Sequence, residues 1–188
     1  MGTGTPLGIH WIQLSSVSTT YLWAIFILLQ GPVIVVGRQA SPNPDLLIEG
    51  GNFRSPLRAL EMNPNSGPTL FKHWGEETKR DLRKALYWDF LFIPLYVSSG
   101  FIACLLASRY FGGNDFLSLV FLLTMPAAGL FDFVENLIML QVIKETTTGL
   151  LIRIARISTF FKFALIGIGF VYALSGLLSC FCVKCFRH

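Results

Sequence analysis

Four long stretches of this chain carry no charge, and nothing else in the sequence restricts its fold as strongly. From Met1 to Gly37 there is no Lys, Arg, Asp or Glu, and Phe90 to Ser108, Phe116 to Phe131 and Phe163 to Val183 are equally bare. A helix needs roughly 20 apolar residues to cross a hydrocarbon core about 30 Å thick, and helices of water-soluble cores rarely run half that far without a charge. Four such runs in 188 residues, a length that suits one domain, predict an all-α polytopic membrane protein. The expected architecture is a four-transmembrane-helix bundle with short hairpins joining helices 2, 3 and 4. Only 14% of residues are charged, about half the share of an ordinary soluble domain.

The breaks between runs set the expected boundaries: helix 1 at about 19–37, helix 2 at about 76–108, helix 3 at about 116–142 and helix 4 at about 152–179. Pro32, Pro94 and Pro126 fall inside helices 1, 2 and 3, where a missing backbone donor predicts kinks. The first run lacks the basic start of a secretory signal, with no Lys or Arg before Tyr21, so it is expected to stay as a helix. His10-Trp11 before it suits the membrane interface. The short chain without a cleavable presequence favours a bacterial inner membrane.

The net charge of +4 does not point to nucleic acid, because the basic residues flank the apolar runs. Arg38, Arg54, Arg58, Lys72, Lys79, Arg80, Arg83, Lys84, Lys144, Arg153 and Arg156 fall on one side of the expected membrane, against Arg109, Lys184 and Arg187 on the other. Cytoplasmic loops carry the Lys/Arg excess, so both termini are expected outside.

Residues 38–75 form the one sizeable piece outside the expected helices. Ser41-Pro42-Asn43-Pro44, Gly50-Gly51 and Asn63-Pro64-Asn65-Ser66-Gly67-Pro68 are turn signals. Between them, Ser55-Pro56 could open a short amphipathic helix through Met62, lying on the cytoplasmic membrane surface. Glu76 to Asp89 then reads as a polar extension of helix 2, with Glu76 and Arg80 spaced to pair and Tyr87-Trp88 marking the interface.

Ionisable residues inside the apolar runs carry the functional signal. Asp132, Glu135 and Asn136 stand at i, i+3 and i+4, on one face of helix 3. Asp89 precedes Gly112 by 23 residues and Asp132 follows it by 20, while Asp132 and Lys162 are each 15 residues from Thr147. At about 1.5 Å per residue, Asp89, Asp132, Glu135, Asn136 and Lys162 share a band roughly 6–13 Å to the cytoplasmic side of the midplane. Small residues accompany them: Gly169, Ala173 and Gly176 after Lys162, Gly100, Ala103 and Ala107 with Tyr96 after Asp89, and Ala128-Gly129 before Asp132. Such stripes bring helices close and turn the polar groups toward one another.

An ionised group near the centre of a membrane helix costs about 2.5–3.5 kcal/mol on insertion scales. The band holds three acids and one lysine, with Arg153 and Arg156 able to reach in only by snorkelling. Without them, a carboxyl must take up a proton or the band must hold a cation or cationic ligand. The structural alternative is that these groups serve as hydrogen-bonding glue between helices.

Other signals are weaker. Cys182-x-x-Cys185, with Cys180 and His188, has a ligand-like gap, but a lone CxxC among Phe181, Val183 and Phe186 reads as small apolar residues rather than a metal site. Palmitoylation would require a cytoplasmic C-terminus, against the charge asymmetry. Cys104 reads as packing, and His10 and His73 cannot make an intrahelical haem pair. Phosphate-loop, dinucleotide, HExxH and GxSxG motifs are missing from the sequence, so no cofactor is named.

Three functions compete. The one asking least is a non-enzymatic membrane protein whose polar layer binds a ligand, lipid headgroup or cation, or supports assembly with a membrane-protein partner or a second copy. The second is an intramembrane enzyme acting on a lipid or isoprenoid, with Asp132 or Glu135 as general acid or base tuned by Lys162. The third is proton- or cation-coupled transport, which four helices could support only as an oligomer.

Overall fold

Ser18 opens the first helix, its hydroxyl accepting from the Thr20 amide at 3.3 Å, which satisfies one of the donors a helix start leaves unpaired. In the computed structural model, which describes residues 17–41, 75–111, 115–144, 146 and 148–185, four helices follow in chain order. They are α1 (Thr19–Ala40), α2 (Glu76–Phe111), α3 (Asp115–Ile143) and α4 (Gly149–Cys185). Each is long and apolar enough to cross a membrane. The interfacial helix expected near 55–62, His10, Trp11, His73 and His188 lie outside the described residues, as do the side chains of Cys180, Cys182 and Cys185.

The helices pass through Pro32, Pro94 and Pro126 without ending, and they overrun the apolar runs. α1 continues beyond residue 37 through Arg38, whose charge in the last turn suits the negative end of the helix dipole. α2 likewise opens on Glu76 and Glu77 and closes with Arg109 in its final turn. The pair expected between Glu76 and Arg80 is made instead with Lys79, at i,i+3 and 3.3 Å. At about 1.5 Å per residue α2 and α4 each approach 55 Å, well over the thickness of a hydrocarbon core.

Side-chain partners give the directions. Thr19 meets Arg109, Gln30 meets Ser99 and Gly37 faces Phe92, so α1 runs antiparallel to α2. Tyr96 meets Asp132, and Phe121 stacks on Tyr172 at 4.1 Å, so α2 to α3 and α3 to α4 reverse in turn. The result is an up-and-down bundle. α2, α3 and α4 pack on one another, whereas α1 packs chiefly along α2.

Glycines set the spacing where it is tightest. A Cβ on Gly176 would collide with the Cα and Cβ of Ala107, which holds α4 backbone-close to α2. One on Gly169 would lie 2.5 Å from Met125 Cε and 2.9 Å from Thr124 Oγ1. The small-residue stripe of α4 is therefore its contact surface with α2 and α3.

The outside is as apolar as the inside, and a small set of polar groups is buried between apolar clusters. Large apolar side chains cover the outside, among them Ile27, Leu28, Phe116, Leu130, Phe160, Phe170 and Val171, while Asp132, Glu135, Asn136, Ser158, Thr159 and Lys162 are buried. Two apolar clusters lie along the bundle axis. One joins Leu82, Leu86, Ile138, Met139, Val142, Ile143, Ile152 and Ala155. The other joins Leu22, Cys104, Leu105, Leu106, Leu122 and Met125. The polar residues occupy the layer between them.

Candidate functional site

Helix periodicity delivers this layer. Asp132, Glu135 and Asn136 project from one face of α3, and the α3–α4 hairpin brings Lys162 level with them. Lys162 Nζ donates to Asp132 Oδ1 at 2.8 Å and lies 2.9 Å from Glu135 Oε2. Both acids are nearly sealed, at 4% and 3% exposure. From α2, the Tyr96 hydroxyl donates to the other oxygen of Asp132 at 2.9 Å. Asp132 is thus held from both neighbouring helices.

Asp89 and Asn136 make a second pair. The Asn136 amide donates to Asp89 Oδ2 at 2.7 Å, and Asp89 is only half-buried. The five expected residues therefore come together as two adjoining sets rather than one ring. Asp132, Glu135 and Lys162 form the deep set, while Asp89 with Asn136 lies alongside it. Counting residues along the helices puts Asp89 level with the lysine, and the hydrogen bond identifies Asn136 as its partner.

Tyr96 is the member that sequence reasoning passed over. It stands on the Asp89 face, seven residues on, where an aromatic side chain resembles its packing neighbours. Its position two turns along that stripe was the available signal. Thr159, buried one turn before Lys162 with its hydroxyl 2.9 Å from the Ala155 carbonyl, is a second. Both are polar tips on residues otherwise at home between helices.

The charge count in the deep set is two acids to one ammonium. Lys162 is shared, yet the contact with Glu135 lacks hydrogen-bond alignment. Among the described residues, Glu135 Oε2 is the buried side-chain oxygen without a hydrogen-bond partner. Two carboxylates around one ammonium leave one negative charge in excess, a costly state in a sealed layer unless a proton, a further cation or water offsets it. Phe163 covers the outer side of the ammonium, its ring centroid 5.1 Å from Nζ, close enough for a cation–π contact. Arg153 and Arg156 are exposed at the α4 start.

Together the fold and this layer define an all-helical chain of four membrane-length helices around a buried carboxylate–lysine centre. Comparison with family models, with curated proteins and with solved structures finds no match for this chain.

Proposed function

We propose that this chain is an integral membrane protein that binds rather than catalyses, with the Asp132–Lys162–Glu135 centre as the binding site for a proton or small monovalent cation. The observation that carries the reading is the sharing of one ammonium by two sealed carboxylates, which leaves one negative charge in excess. Apolar packing lies on both axial sides of the layer, leaving little room for anything larger. The membrane assignment rests on the outward-facing apolar side chains and the four membrane-length helices, an exposed apolar area no soluble monomer tolerates. The excess of Lys and Arg in the 38–84 and 144–156 stretches over the opposite side supports a cytoplasmic location for those stretches, with both termini outside.

Occupancy of the centre would then be linked to how tightly α3 and α4 hold together, and through that to assembly with a membrane partner or a second copy. The lipid- or isoprenoid-enzyme reading asks for a cavity opening at Glu135, and it would gain from turnover lost in Glu135→Gln with the fold intact.

The test is thermal unfolding of the purified chain in lipid nanodiscs, run across pH 5–9 and across a series of sodium and potassium concentrations. The unfolding temperature of the wild type should move with pH or with one cation, and Glu135→Gln, which removes the excess negative charge while keeping the shape, should flatten that dependence. A wild-type transition indifferent to both variables would overturn the reading and leave the layer as interhelical glue.

A further inference from the structure

A second feature lies on α4 beside the polar layer, on a face turned away from Gly169 and Gly176. A groove of about 550 Å³ runs along its outer face, lined by Arg156, Thr159, Phe160, Phe163 and Ala164. These residues stand at i, i+3, i+4, i+7 and i+8, so they form one continuous stripe, and Arg153 stands at its head, one turn before Arg156. Phe160 and Phe163 are widely exposed. The stripe is therefore cationic at one end and apolar over the rest of its length.

Depth decides what such a stripe fits. Arg156 precedes Lys162 by six residues, about 9 Å along the helix. With the polar layer roughly 6–13 Å from the midplane, Arg156 falls about 15–22 Å out, where a hydrocarbon core of about 30 Å ends and headgroups begin. Phe163 and Ala164 lie level with the polar layer, inside the acyl region. A guanidinium at phosphate depth above an apolar trough is complementary to one molecule whose charge and tail are arranged the same way. Arg presents several donors in a fork that suits a phosphate.

We infer that this groove is a binding site for a single anionic phospholipid of the cytoplasmic leaflet, its phosphate on Arg156 and Arg153 and an acyl chain along Phe160, Phe163 and Ala164. The inference rests on the membrane reading but not on what the buried centre binds. Phe163 belongs to both sites, since its ring also covers Lys162. A seated lipid would press that ring onto the ammonium, so the lipid site buttresses the layer behind it.

Native mass spectrometry of the full-length protein, released from micelles supplemented with phosphatidylglycerol or phosphatidylcholine, tests this directly. The wild type should retain one phosphatidylglycerol in preference to phosphatidylcholine. Arg156→Gln should reduce that preference about fivefold, the effect of removing one basic contact near a membrane surface, and Arg153→Gln should reduce it less. Phe160→Ala should weaken retention of both lipids alike. Should Arg156→Gln not yield folded protein, Arg156→Lys, which keeps the charge and loses the fork, should lower the preference by a smaller factor. Equal retention of both lipids by the wild type overturns the inference, as does a lipid-free dimer with Phe160 in its interface, which would give the groove to a second copy. Failure of the membrane reading shows separately, as protein extracted from vesicles by alkaline carbonate.

Discussion

Lys162 is shared by two acids on successive turns of α3, and Asp132 in turn accepts from helices on both sides. Residues so connected do not contribute independently. Lys162→Met strands two buried carboxylates and should cost about 3–5 kcal/mol, the range for breaking a buried ion pair from one side. Adding Asp132→Asn to that variant should recover part of the loss rather than deepen it, because the second change removes a charge the first left unmatched. Tyr96→Phe keeps the ring and deletes one hydrogen bond to a charged acceptor, worth about 1.5–3 kcal/mol. Equilibrium unfolding in mixed micelles measures all of these, and a simple sum of the single losses in the double variant would argue against a shared ammonium. At this scale the acids and the lysine were legible in the sequence because charge inside an apolar run stands out. Tyr96 was not, because a phenol between helices is indistinguishable from a packing aromatic until its partner is seen.

Among elements, the α2–α4 contact depends most narrowly on sequence. Gly176 faces the backbone of Ala107 with no room for a Cβ, so Gly176→Leu should push the two helices apart and lower stability by about 1–3 kcal/mol, as overpacking does. Gly31 in α1 has open space where a Cβ would go, and Gly31→Ala should be neutral or stabilising by up to about 1 kcal/mol. Unfolding of the two variants side by side separates a packing glycine from a tolerated one, and equal losses would contradict the contact. The stripe Gly169, Ala173, Gly176 could be read as an interface from spacing alone, since small residues recurring on one helix face have few other uses. The place of α1 could not. Its only long polar side chain within the run is Gln30, which donates to Ser99 at 2.8 Å and to the Phe26 carbonyl, and a single amide does not name its partner helix. Nor did the apolar runs mark the helix ends, because a backbone ladder continues through Arg38 as readily as through a valine.

For the molecule as a whole, the apolar exterior follows from composition, but which end faces the cytoplasm rests on charge asymmetry alone. A cysteine placed at exposed Thr146, between α3 and α4, with the native cysteines replaced by serine, should be shielded from a membrane-impermeant maleimide in intact cells and should react once the membrane is opened. Labelling before opening would invert the topology, and with it the leaflet assigned to the groove on α4. The order of synthesis carries a further consequence for the shared ammonium. Asp132 and Glu135 leave the ribosome some 27 to 30 residues ahead of Lys162, so α3 reaches the bilayer bearing two acids whose counter-charge has not yet been made. At about 2.5–3.5 kcal/mol for each lone charge, α3 by itself is a poor candidate for stable entry into lipid. The smallest unit that can settle there is the α3–α4 hairpin, and biogenesis of this chain should wait for its last helix.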